Sequence, residues 1–331
     1  MYDLQIKWKK DGKDGWFTPI IADGIQWETE REGMPSKLSF TVIKDDIIRF
    51  EEGAIVTLRH YDEKTKKYTG IFKGFVFEKT RDKNNHIKVI AYDQLRYFKN
   101  KLSINYTKKK ASELLTMLAN DVGATLGTVD DTGYTIPFRD EENSTLFDII
   151  LNALYETSRN NGKEYVLYDD FGKICLVNTK SKLYELMLCP STAEDFSYTS
   201  SIDKDTLTEV LVLKTNSQGK VEGDPYLYPK GKNDTRDAWG VLREVVKAGV
   251  NDNLAHVAET IFKAKNRKTR DLEIKGCLGD LKVRAGVQVY VDLNLGDIQV
   301  KRFLMCDRVV HRFNHGVHLM DVTIKDDFTE K

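Results

Sequence analysis

Apolar and polar side chains alternate in short runs from the start of the chain. Leu4–Trp8, Gly24–Glu30 and Lys37–Ile43 alternate in this way, and Gly53–Arg59, Tyr68–Glu78 and His86–Tyr92 continue the series of strand-like runs. A period of two is the signature of strands with one buried face, and turn-rich breaks such as Lys10–Gly15 separate the runs. About seven strands at regular spacing predict a β-sandwich or small barrel over residues 1–100.

The pattern changes after Phe98. Lys99, Lys101, Lys108, Lys109 and Lys110 follow with no acid among them and mark a domain boundary. Apolar residues at 111, 114, 115, 118 and 119 then fall on one helix face, with Gly123 as a stop. A second helix is expected over Ser144–Tyr155, capped by Ser144 or Asn143. Tyr165–Val177 reads as a hairpin turning at Asp169–Gly172. Residues 101–195 therefore form an α/β insert.

Strand signals return in Thr208–Lys214. Asn216–Asp237 is polar, carries Gly219, Gly223, Pro225, Pro229 and Gly231, and is expected as an exposed loop. A helix over residues 251–267 would bury Leu254, Val257, Ala258, Ile261 and Phe262, with Asn251 or Asp252 as its cap. Asp271–Lys275, Gln288–Leu293, Ile298–Val310 and Val317–Ile324 are strand-like, the last two joined at Asn314–Gly316. The fold class is α+β: a second β domain over 196–331, with the loop 216–237 and the helix, follows the insert.

The chain has 331 residues, 31% charged and 40% hydrophobic, enough for a sizeable folded core. It contains no apolar run of transmembrane length, and Met1–Gln5 lacks the basic and apolar regions of a secretory signal. The 51 basic and 51 acidic residues cancel, which argues against a dedicated nucleic-acid binder. The total conceals segregation. Residues 1–110 hold 23 bases and 16 acids, residues 111–260 hold 14 and 25, and residues 261–331 hold 14 and 10. Both β regions are net basic and the middle is acidic. Cys175, Cys189, Cys277 and Cys306 are too sparse for a metal or disulfide framework and are expected as reduced thiols.

Phosphate-loop, dinucleotide, zinc-protease and serine-hydrolase motifs are missing, and no cofactor is expected. His311, His315 and His318 form a histidine cluster. If Asn314-His315 were the two-residue turn, His311 and His318 would face each other and could bind a divalent metal; the simpler expectation is solvated residues at a hairpin tip. The acid pairs Asp45-Asp46, Glu51-Glu52, Asp130-Asp131, Glu141-Glu142 and Asp169-Asp170 are poor catalytic candidates, because neighbours in a strand point to opposite faces. Lys263, Lys265, Arg267, Lys268 and Arg270 are the candidate contact to an acidic partner, weighed against a solvated helix end where cations suit the dipole. The bases carry no interleaved aromatics, which weakens single-strand binding.

Several stretches together carry a family resemblance. They are Ala91–Lys101 (AYDQLRYFKNK), Asp131–Pro137 (DTGYTIP), Thr145–Ile150 (TLFDII), Tyr165–Lys173 (YVLYDDFGK), Asp195–Asp203 (DFSYTSSID), Trp239–Leu242 (WGVL), Lys265–Arg270 (KNRKTR) and Leu278–Gly286 (LGDLKVRAG). Across nearly the whole chain they resemble the XkdQ/YqbQ family of tail proteins, which is similar to the late-control gene D baseplate hubs of contractile phage tails and tail-like bacteriocins. The resemblance implies a non-enzymatic homotrimer with two tube-protein-like β-barrel domains per subunit. Such a ring fits a trimeric central spike to a hexameric tail tube, touching other baseplate proteins and the tape measure. It implies a place in the virion or bacteriocin particle after assembly in the host cytoplasm, with no membrane and no sequence-specific nucleic acid as partner. The alternatives are a tail-associated peptidoglycan hydrolase, for which no further domain is expected after the second β region, and a receptor- or glycan-binding module.

Overall fold

A computed structural model describes residues 1–10, 13–44, 50–216, 220–231, 233–249, 252–296 and 298–325. The acid pair Asp45-Asp46, the cap residue Asn251, Gly219 and the centre of the Lys10–Gly15 turn lie outside the described residues. Strands make up 52% of the chain and helices 18%, an α+β composition dominated by β structure. The chain forms two compact units, one of Met1–Phe196 with Glu273–Ile324 and one built on Ser197–Leu272.

The first unit begins with β1 (Tyr2–Lys10), β2 (Lys13–Phe17), β3 (Ile25–Glu30), β4 (Lys37–Ile43), β5 (Ile55–Asp62), β6 (Lys67–Arg81) and β7 (His86–Tyr92). The predicted alternation is realised: Ile25, Trp27 and Thr29 of β3 and Leu38, Phe40 and Val42 of β4 point into the core. Leu4, Ile6, Val56, Leu58, Phe72, Val76, Val89 and Ala91 complete it. Burying a large aliphatic or aromatic side chain of this kind contributes about 1.5–3 kcal/mol. A 3₁₀ turn, Gln94–Lys99, then leads away, capped by Asp93.

The basic run becomes a strand, β8 (Lys101–Lys110), followed by α1 (Ala111–Asp121), β9 (Leu126–Val129), β10 (Thr135–Thr145), α2 (Leu146–Asn161), β11 (Tyr165–Asp169), β12 (Ile174–Asn178) and β13 (Leu183–Leu188). All five apolar positions predicted on α1 are buried. The cap of α2 is Thr145, not Ser144 or Asn143. Its hydroxyl accepts from the Asp148 N–H at 3.0 Å, and the Asp148 carboxylate accepts back from the Thr145 N–H at 3.3 Å. Asn143 is unavailable because it sits in a β-bulge with φ 48°, its N–H bound to the Ser103 hydroxyl. β8 and β10 pair as a long ribbon, and β11-β12-β9 form a small sheet. Leu114, Leu115, Leu118, Ile136, Leu146, Ile149 and Ile150 anchor a core of their own with Leu95 and Phe98.

The second unit contains the body of β14 (Asp195–Ser201), then β15 (Glu209–Lys214), β16 (Tyr226–Tyr228), α3 (Asp234–Trp239), β17 (Arg243–Ala248) and α4 (Leu254–Lys265). The stretch expected as one exposed loop therefore holds a strand and the start of a helix. Tyr226, Leu227 and Tyr228 pair with β15, a three-residue strand too short to show a period. α4 is shorter than its expected 251–267 and is capped by Asn253, whose side chain accepts from the N–H groups of Ala255 and His256. Asp252 instead accepts from the Gly249 N–H at 2.7 Å. The helix ends at Lys265 because the Asn266 side chain turns to the Leu207 carbonyl, 2.7 Å away. Leu254, Val257, Ala258, Ile261 and Phe262 pack on Leu207, Val210, Val212 and Ala248, as the apolar spacing predicts.

The chain leaves this unit along β18 (Thr269–Leu278) and adds β19 (Gln288–Asn294), β20 (Gln299–Met305), β21 (Arg308–Asn314) and β22 (Val317–Lys325). β21 pairs with β3, so the C-terminal hairpin joins the N-terminal sheet. The order is β18-β22-β21-β3-β4-β7-β6-β5-β1-β2, which is open, while β13-β19-β20 form a separate sheet. The run Ile298–Val310 is thus two strands with a turn at Cys306-Asp307.

Candidate functional site

The five predicted contact residues run from the last turn of α4 into β18. Lys263 pairs with Glu259 at 2.6 Å one turn back, and Lys265 with Glu244 of β17 at 2.7 Å. Arg267 donates to the Ala264 carbonyl at 2.8 Å and Arg270 to the Tyr198 hydroxyl at 3.1 Å. Lys268 is exposed. The pairs are solvated, so each holds its side chain only weakly.

The same unit carries an ionic centre that the sequence did not reveal. Glu209 opens β15 with its side chain fully buried, and its carboxylate meets Arg243 Nε at 2.5 Å and an Arg236 guanidinium nitrogen at 2.9 Å. Arg236 comes from α3, a helix hidden within the expected loop. An acid at the head of an apolar strand was the one available signal.

A second buried polar centre lies in the first unit. Asp93 accepts from the N–H groups of Ser36 and Leu95 at 2.9 and 3.0 Å. Its neighbour Gln94 donates to Asp169 at 2.8 Å, and Asp169 also accepts from the Gly172 N–H at 2.6 Å. Arg284 lies over the Tyr168 ring, 4.3 Å from its centroid, and within 5.8 Å of the Trp27 ring. Burial pushes both carboxyls up, Asp93 well above the usual range, with the Asp169 charge adding to the effect on Asp93 and Arg284 opposing it. Asp169 is thus more than a turn residue. The arrangement ties the end of β7, the β11–β12 hairpin and the 279–287 segment together.

The acid pairs divide their work in the same local way. Asp130 accepts from the Asn178 N–H, whereas Asp131 binds Lys110 and the Gly133 N–H. Glu141 is buried against Arg139, and Glu142 is exposed. Cys175, Cys277 and Cys306 are buried thiols and Cys189 is half-buried.

The turn of the last hairpin is His315-Gly316, one residue later than the register that would set His311 opposite His318. His311 lies opposite Met320 and His318 opposite Phe313, yet the two imidazoles meet diagonally, with His311 Nδ1 2.9 Å from His318 Nε2. His311 is fully buried and His318 half-buried, so only His315 is a solvated tip residue. The facing nitrogens bond to each other, and no group of three or more metal-ligating side chains occurs among the described residues.

The β13-β19-β20 sheet presents a further surface. Met187, Tyr290 and Phe303 stand side by side across its three strands, with Met187 50% and Phe303 37% exposed. Its other face is buried through Val289, Val291, Val300 and Leu304. Adjacent apolar side chains left in solvent make this face a candidate contact surface.

A family model described as YQBQ-like matches residues 25–325. The phage-like element PBSX protein XkdQ of Bacillus subtilis (strain 168) is 26% identical over 328 residues, 96% of each chain. Among solved structures, the 43 kDa tail protein of prophage MuSo2 from Shewanella oneidensis is similar at a TM-score of 0.67 and 11% identity, over 97% of this chain and 98% of that one. The E. coli c3393 protein, a type VI secretion component with structural similarity to the T4 bacteriophage tail proteins gp27 and gp5, reaches a TM-score of 0.55 at 8% identity, over 99% of this chain and 77% of that one. At such identities the structural likeness speaks for the fold alone.

Proposed function

The chain belongs to the YQBQ-like family, and from that premise we propose that it is a phage-tail protein acting as a structural, non-enzymatic baseplate hub. In this reading three copies form a ring that adapts a trimeric central spike to the hexameric tube of a contractile tail or tail-like bacteriocin. The observation that carries it is family membership over residues 25–325, joined to a tail-protein fold across nearly the whole chain.

Segments 1–100 and 196–331 would supply the two tube-protein-like barrel domains, with 101–195 as the insert between them. Lys263, Lys265, Arg267, Lys268 and Arg270 would meet an acidic patch on a neighbouring subunit or partner, and the region 216–237 would lie beside another chain. The apolar row Met187–Tyr290–Phe303 supports an assembly role, because it leaves hydrophobic surface for a neighbour. Partners in this reading are the tube protein, the central spike, other baseplate proteins and the tape measure. The particle would be assembled in the bacterial cytoplasm and the protein would reside in its baseplate.

Size-exclusion chromatography with light scattering, on mixtures of this protein with the tube and spike proteins encoded beside it, tests the proposal. A stable complex containing three copies of this chain is expected. Failure to bind either protein at micromolar concentration, at low and physiological salt, would overturn it.

A further inference from the structure

A chain of three hydrogen bonds runs through the first unit from the start of β1 to the segment before β19. The Tyr2 hydroxyl lies 2.9 Å from His318 Nδ1, His318 Nε2 lies 2.9 Å from His311 Nδ1, and His311 Nε2 lies 2.8 Å from the Val283 carbonyl. The carbonyl can only accept, so His311 carries its proton on Nε2 and leaves Nδ1 as an acceptor. His318 must then donate from Nε2, and its Nδ1 accepts from Tyr2. One carbonyl oxygen thus sets both tautomers and the direction of the whole chain.

The surroundings enforce this arrangement. Trp27 of β3 stacks on His311 with ring centroids 4.9 Å apart and planes 19° apart. Phe313 covers His318 at 4.4 Å. Gly279 packs so closely that a Cβ there would collide with the His318 ring. The titratable and charged groups facing the pair are Tyr2 of β1, His60 of β5, and Asp280 and Arg284 of the 279–286 segment. Asp280 favours a proton, whereas His60 disfavours one on His318 and Arg284 one on His311. Asp280 is already engaged by the Tyr184 hydroxyl at 2.6 Å.

We propose that this chain is an acid-operated latch, which holds the β21–β22 hairpin against Tyr2 and the 279–286 segment while both imidazoles are neutral and releases it when they take up protons. One proton fits. It enters at His318 Nδ1, the Tyr2 hydroxyl turns to accept from it, and the ring-to-ring bond survives. A second proton does not fit, because His311 Nδ1 and His318 Nε2 would then both carry hydrogens across 2.9 Å. Two adjacent imidazolium ions would also repel each other in a site where His311 has no solvent exposure. The latch therefore opens in one step at the second proton. Burial holds His318 down to about 4 and His311 down to about 3. In the unfolded chain both would take protons near 6.5. The grip thus weakens as pH falls below about 6.5 and is lost through about 4 to 3. Tyr2, Phe313 and His315 also line an adjoining cleft of about 620 Å³ with His60 and Glu63, so release would reshape that surface.

Hydrogen exchange and tryptophan emission, followed from pH 7 to 3 on the full chain, test the latch, together with imidazole ¹⁵N shifts. Both rings should be neutral Nε2–H tautomers at pH 7. The amides of Tyr2–Leu4 and Arg312–Leu319 should then lose protection at least tenfold before those of α1 and α2, with Trp27 emission quenched in step by the charged ring. Tyr2→Phe should move the opening upward in pH without altering the α1 and α2 amides. Gly279→Ala, which displaces His318, should abolish the early step by leaving the hairpin open at pH 7. Ordinary titration of either ring near 6.5 in the wild type would overturn the proposal, as would loss of the hairpin amides only with the whole fold.

Discussion

Glu209 lies fully buried at the head of β15 and meets Arg243 Nε at 2.5 Å, with Arg236 on its second oxygen at 2.9 Å. An acid in that position is tolerated only because two cations from other elements converge on it. Glu209→Ala leaves both arginines unpaired at the edge of the small core. Since Arg243 is 45% and Arg236 34% exposed, water recovers part of their charge. The expected cost is about 2–3 kcal/mol, below the upper range for a broken buried pair. Urea unfolding should show it, with Glu209→Gln losing less than Glu209→Ala because the amide still accepts one hydrogen bond.

Gly70 of β6 and Phe171 at the tip of the β11–β12 hairpin form a second pair that can be tested. A Cβ on Gly70 would collide with the Phe171 ring. Gly70→Ala should cost about 1–3 kcal/mol as the ring is displaced. Phe171→Ala removes the obstacle, so the double variant should lose less than the two single losses combined. Additive denaturation midpoints would show that the hairpin tip does not rest on β6.

These examples show what the sequence could and could not convey. Period-two runs located β1, β3, β4 and β7, and a helical spacing located α1, α2 and α4, because each buries one regular face. Helix caps shifted by one or two residues, since Ser144, Thr145, Asp252 and Asn253 are all competent and tertiary context chooses among them. The histidines expected as solvated tip residues proved otherwise at His311 and His318: the turn falls one residue later than the register that would set them directly opposite, yet they still meet, as diagonal neighbours across a hairpin can. β16 and α3 were hidden by glycines and prolines that read as loop. The joining of β21 to β3 depends on two segments far apart in sequence, and no local pattern encodes it. The ionic centres at Glu209 and at Asp93, Asp169 and Arg284 escaped for the same reason.

The Asp93–Asp169 pair makes a pH prediction with a definite sign. Burial raises both carboxyls, so between about pH 4 and their folded values the native chain holds protons that the unfolded chain has lost. Their contribution to stability is therefore present at low pH and declines as pH rises through that window. Asp169→Asn keeps an oxygen to accept from the Gly172 N–H while removing one of the two charges. Its denaturation midpoint relative to wild type should rise between pH 4 and 7. A constant difference across that range would mean that burial does not raise the Asp169 carboxyl in the folded chain.

The basic segment offers the most direct test of partner contact. Lys265→Glu, Arg267→Glu and Lys268→Glu combined reverse three charges where the existing interactions are solvated, so the fold should lose only about 1–2 kcal/mol. Part of that loss comes from a carboxylate at position 265 facing Glu244, like charges where Lys265 and Glu244 stood 2.7 Å apart. If the segment meets an acidic surface, the variant should fail to co-elute with the tube and spike proteins at low salt while keeping its circular dichroism spectrum. Wild-type association should weaken as ionic strength rises, because solvent-exposed charges are screened over about 10 Å at 0.1 M salt. Unaltered co-elution of the triple variant, with no salt dependence in the wild type, would remove Lys263–Arg270 from the contact surface and leave the apolar row Met187–Tyr290–Phe303 as the surface to vary next.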